Sequence, residues 1–114
     1  MPLVALVAAL LTLHSGANGH RYVVSPATTV VVVLPSNAST GYHWRLSTPL
    51  DRSVLRLVSH RYTAAKSGRP GAAGKETWRF RAVGKGLDHL RLAYVPPGQS
   101  GKAGRHFGVT ICVG

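Results

Sequence analysis

The chain has 114 residues, room for one domain and its core but not for separate cofactor and substrate domains. Fourteen Lys and Arg against three Asp and Glu give a net charge of +11, and every one of those charges lies at or beyond Arg21. Hydrophobic residues at 45% with charged residues at 15% describe a folded chain rather than a disordered one. Asp51, Glu76 and Asp88 are too few for paired-carboxylate catalysis or a hard-cation site. A single cysteine, Cys112, excludes an internal disulfide and a Cys-based zinc cluster. No enzyme, cofactor or metal is expected.

At the N-terminus, Leu3 to Leu13 is an apolar run interrupted only by Thr12. It is too short to span a bilayer, which takes about 20 residues, but it suits the core of a signal peptide. Ser15-x-Ala17 and Ala17-x-Gly19 each offer a small-residue cleavage pattern, although no Lys or Arg precedes the run. A buried N-terminal helix is the alternative. The reading assigns residues 1–19 to a signal peptide and residues 20–114 to one domain. A secreted or periplasmic protein without a membrane span is expected.

Downstream, the pattern is that of strands. Thr28 to Leu34 is a continuous β-branched run suited to a strand buried between sheets, and Pro35 is expected to end it. Ser36 to Gly41 is turn chemistry, and Tyr42 to Leu46 restarts a strand. Val54–Tyr62 is the next strand, followed by a Gly/Ala/Pro-rich loop from Lys66 to Gly74. Trp78, Phe80 and Ala82 alternate with Arg79 and Arg81. After Gly84-Lys85-Gly86, Leu90, Leu92 and Tyr94 alternate with polar neighbours. Pro96 to Gly104 is a second Pro/Gly loop, and Phe107, Val109, Ile111 and Val113 alternate to the end. Six or seven short strands at this spacing predict an all-β antiparallel sandwich, with Trp44, Trp78 and Phe80 in its core.

The stretch Asn37-Ala38-Ser39-Thr40-Gly41-Tyr42-His43-Trp44 resembles the first signature loop of the chagasin-type inhibitors of papain-like cysteine proteases. That loop reads Asn-Pro-Thr-Thr-Gly-Tyr/Phe, followed shortly by Trp; Ala38 and Ser39 depart from it. Gly71-Ala72-Ala73-Gly74 stands where the family has Gly-x-Gly-Gly. Pro96-Pro97-Gly98 stands where it has Arg-Pro-Trp, and keeps only the proline, at Pro97. The resemblance runs from about Val30 to Val113, and the order and spacing of the motifs carry much of its weight.

The resemblance implies an immunoglobulin-like sandwich that inhibits a papain-like cysteine protease reversibly and non-covalently. Asn37 to Tyr42 would sit over the catalytic cysteine, Gly71 to Gly74 on the non-primed side, and Pro96 to Gly98 on the primed side. The residues suit that role in their own right. Gly41 can take a backbone angle closed to other residues, Asn37 can bond its own turn, and the glycine-flanked loop offers bare backbone groups to an extended peptide. A monomer is expected. Asn37-Ala38-Ser39 also matches a glycosylation acceptor, read as fortuitous because a glycan would block docking.

Other groupings carry less. His43, His60, His89 and His106 lack metal-ligand spacing, and no nucleophile elbow surrounds Ser36 or Ser39 to join them to His43 and Asp51 as a triad. Cys112 falls opposite the apolar positions of the last strand, as a semi-buried packing residue. Arg79, Arg81 and Arg91 occupy outward positions of successive strands and predict a basic, solvated face. Its functional reading is attraction to an acidic protease or a polyanion. Nucleic acid is not an expected partner, because the aromatics alternate inward instead of forming stacking platforms. The competing function is a basic immunoglobulin-like module that binds polyanions or a cell surface without inhibiting a protease.

Overall fold

The computed structural model describes residues 9–65, 73–98 and 103–114. Eight strands form two four-stranded sheets packed face to face. In chain order they are β1 (Leu10–Leu13), β2 (Arg21–Val24), β3 (Thr29–Ser36), β4 (His43–Leu46), β5 (Leu55–Thr63), β6 (Gly74–Ala82), β7 (Gly86–Val95) and β8 (Arg105–Val113). One sheet has the order β1-β3-β6-β5 and the other β2-β8-β7-β4. Among the described residues the helical pieces are two short 3-10 turns, Ser15–Ala17 and Ala38–Thr40.

The two-residue side-chain period explains the core. Trp78, Phe80 and Ala82 point inward while Arg79 and Arg81 point out, and Phe107, Val109, Ile111 and Val113 line the facing sheet. Phe80, Leu34 and Ile111 are fully buried, each contributing about 1.5–3 kcal/mol. Trp44 and Trp78 are in the core as expected, and Cys112 is half-buried.

Four sequence expectations change. The sandwich is not wholly antiparallel, because β1 runs parallel to β3 and β2 parallel to β8. Pro35 lies inside β3, opposite Lys75, instead of ending it. The register explains why: β1 pairs with β3 only as far as Val32, so at Pro35 the strand has no partner on that side and the missing N–H is tolerated. The alternative of a buried N-terminal helix gives way to a strand: Leu10–Leu13 of the apolar run form β1, with Leu13 buried in the core. Finally, Arg79 and Arg81 lie on β6 and Arg91 on β7, which belong to different sheets, so they do not share one face.

Candidate functional site

The topology gathers three loops at one end. Residues 37–42 carry the chain from β3 in one sheet to β4 in the other. The β5–β6 connection, described at residues 64–65 and 73, and the β7–β8 connection, described at residues 96–98 and 103–104, leave their strands at the same end. The register of the strand ends brings the loops together. Ser36 pairs with Gly74 and Thr63 with Lys75 in one sheet, while His43 pairs with Val95 and Tyr94 with Arg105 in the other.

The first loop is held by its own short side chains. Asn37 Oδ1 accepts from Ser39 N (3.1 Å) and Ser39 Oγ (2.6 Å), and the Asn37 carbonyl accepts from Thr40 Oγ1 (2.8 Å). These bonds close the Ala38–Thr40 turn, as Asx and Ser/Thr chemistry does in isolated turns. Gly41 has φ +78°, a conformation that disfavours any side chain.

Gly41 also faces the third loop: a Cβ there would lie 3.0 Å from Pro97 Cβ and Cγ. The proline retained in the third loop thus backs the glycine of the first. A tilted cluster of Tyr42, Tyr94 and Trp44 supports the loop from below, with ring centroids 5.3 and 5.0 Å from Tyr94. Tyr94 Oη accepts from Asn37 N at 2.9 Å. A groove opens on this end, walled by Asn37, Thr40, Tyr42, Ala73, Gly104 and Arg105.

Ala73 and Gly74 of the second loop therefore adjoin the first; Gly71 and Ala72 lie outside the described residues. At Gly74 a Cβ would overlap the Thr63 carbonyl oxygen, so the strand pair closes only around glycine. Pro96, Pro97 and Gly98 are placed, and Gly98 has φ +80° with open space around it.

Sequence reasoning missed Glu76. It is 2% exposed, and its carboxylate joins both sheets at the root of the first loop. Glu76 Oε2 accepts from Ser36 Oγ (2.6 Å) and from Trp44 N (3.0 Å), the residues on either stem of that loop. Its other oxygen lies 2.5 Å from His60 Nε2, and the His60 ring stacks on Trp78 at 3.7 Å. A buried carboxylate is tolerable only when fully hydrogen-bonded, and this one is bonded on both oxygens. The available signal was its inward place in the Glu76, Trp78, Phe80 alternation. Among the described residues no group of His, Cys, Asp and Glu could hold a metal.

The fold and this end of it define an immunoglobulin-like sandwich that presents three clustered loops, two of them in direct contact through Gly41 and Pro97. The family model "Chagasin family peptidase inhibitor I42" matches residues 23–111, and the chain belongs to that family of peptidase inhibitors; it is not an enzyme. Solved structures agree on the fold. The cysteine protease inhibitor EhICP2 from Entamoeba histolytica is similar with a TM-score of 0.79 at 19% identity, covering 93% of this chain and 96% of that one. Amebosin is similar with a TM-score of 0.75 at 20% identity, covering 95% and 100%. PbICP-C, solved in complex with falcipain-2, has a TM-score of 0.64 at 11% identity over 100% and 96%. No curated protein sequence matches significantly.

Proposed function

We propose that the chain inhibits a papain-like cysteine protease by inserting residues 37–42, flanked by 71–74 and 96–98, into the active-site cleft. The observation that carries this is the first loop itself, a turn stiffened by three hydrogen bonds and backed by Pro97. A preorganised loop enters a cleft with little ordering cost, which favours tight non-covalent binding. PbICP-C, whose structure is that of a complex with falcipain-2, supports the class of partner. Titration of papain with the purified chain tests the reading. The parent should inhibit, and the double variant Thr40→Ala/Gly41→Val should inhibit at least about tenfold more weakly while keeping the parent circular dichroism, since Val strains at positive φ. Equal inhibition by both proteins would remove the first loop from the interface.

Export is proposed on the apolar run from Leu3 to Leu13. Cleavage between Asn18 and Arg21 would remove β1, whereas cleavage before Ala9 would leave every described strand in place. Mass spectrometry of the extracytoplasmic protein distinguishes these products, and an intact Met1 there would count against a cleaved leader.

A further inference from the structure

We propose that the outward face of β5 and β6 binds a linear sulfated polysaccharide, at a site separate from the inhibitory loops. The face carries Arg56, Arg61, Lys75, Arg79 and Arg81, all exposed. The three carboxylates of the chain lie elsewhere: Glu76 points inward, Asp88 is buried, and Asp51 sits in the turn before β5. Among the described residues the one carboxylate contact of a basic side chain, His60 Nε2 with Glu76 Oε1, is on the inward side. The face therefore has no internal counter-charge.

The register sharpens this. Arg56 and Arg81 are direct cross-strand partners, and like charges directly opposite one another destabilise a sheet. Arg79 lies opposite Ser59, and Lys75 opposite Thr63. Arg56 Nε donates to the Arg52 carbonyl at 3.2 Å, which uses one of five guanidinium donors and leaves the charge uncompensated.

The distribution of charge selects a line over a plane. On the same face, the outward residues of β3 are Thr29, Val31, Val33 and Pro35, none of them charged. The cations thus form a strip two strands wide, about 5 Å across, with a repeat of about 7 Å along the strand. It extends about 20 Å from Lys75, beside the loops, to Arg81 at the far end.

That shape matches a single anionic chain better than a membrane surface, which would meet the uncharged half of the sheet as well. A protease seated on the loops would reach only the Lys75 end. Single-stranded nucleic acid needs aromatic platforms, and β6 directs Trp78 and Phe80 inward. Guanidinium groups pair with sulfate oxygens through a planar fork of donors, which favours four arginines over a run of lysines.

Heparin binding by the full chain tests the proposal, with a second variant matched in charge. Arg56→Gln/Arg79→Gln/Arg81→Gln removes three cations from the strip. Arg21→Gln/Arg45→Gln/Arg91→Gln removes three from β2, β4 and β7 of the other sheet. The strip variant should bind heparin about tenfold more weakly, as loss of several exposed ion pairs implies, and the control should stay within about twofold of the parent. Both variants should inhibit papain like the parent, so the result does not depend on the protease reading. Equal weakening of both variants would reduce the effect to net charge and overturn the proposal. Preferential binding to oligo-dT or to phosphatidylserine vesicles over heparin would overturn the choice of partner. Unchanged heparin binding with slower association to papain in the strip variant would assign the strip to protease steering instead.

Discussion

Glu76 is buried opposite Leu34 of β3, with its carboxylate between the two stems of the first loop. Its carboxylate ties Ser36 to the Trp44 amide, so the two stems of the first loop share one anchor. Glu76→Ala would strand a buried hydroxyl and a buried N–H, and should cost about 3 kcal/mol of stability by chemical denaturation. Glu76→Gln keeps an oxygen for both donors and should cost less than half as much. If the carboxylate positions the loop, folded Glu76→Ala should also leave papain about tenfold faster, and Glu76→Gln should recover most of that loss. A folded Glu76→Ala protein with the parent dissociation rate would limit Glu76 to stability.

Gly98 stands where complete family motifs carry Trp, and its φ of +80° adds a term invisible in the sequence. An interfacial Trp is worth about 2 kcal/mol, or about thirtyfold in affinity, whereas left-handed backbone costs a side-chain-bearing residue about 1 kcal/mol. If the free loop relaxes around Trp, that cost falls on binding and the gain from Gly98→Trp shrinks to about fivefold. If the loop stays rigid, the cost falls on stability, and the full gain arrives with a lower Tm. Surface plasmon resonance together with thermal unfolding distinguishes the two cases, and no slowing of dissociation would mean that the third loop does not reach the enzyme.

At the scale of elements, β1 is one of three four-residue edge strands, with β2 and β4. It pairs with one neighbour over four residues, yet it buries Leu13 and covers the β3 edge from Thr29 to Val32. A chain that starts at residue 20 should therefore unfold at lower temperature than one that starts at residue 9. Burial of Leu13 alone suggests a loss of about 2 kcal/mol, and the uncovered edge is open to pairing with other chains. Equal Tm values for the two proteins would make β1 dispensable. The strands most legible in the sequence, β6, β7 and β8, each have one buried face and one wetter face, and alternation is visible only when the two faces differ. The short parallel strands β1 and β2 were not legible, since four residues carry too little pattern and their partners lie far along the chain.

For the whole molecule, the net charge of +11 governs encounter more than grip. With an acidic papain-like protease, raising salt from low to physiological strength should slow association by about tenfold and leave dissociation nearly unchanged. Stopped-flow inhibition kinetics would show this, and salt-independent association would rule out steering.

The all-β architecture, the three loops and most of the core were readable from local pattern, because side-chain period and turn chemistry act within a few residues. The loops' contacts needed the fold. Pro97 meets Gly41, Tyr94 bonds Asn37, and Glu76 links Ser36 to Trp44 across 32 to 57 positions of sequence. Sheet membership was equally hidden. Arg79 and Arg91 look alike in their own strands, and only the crossing of the chain between sheets after β6 turns them to opposite sides. Local preference selects strand or turn, but which strands pair is decided by burying a common core, and that sum extends over the whole chain.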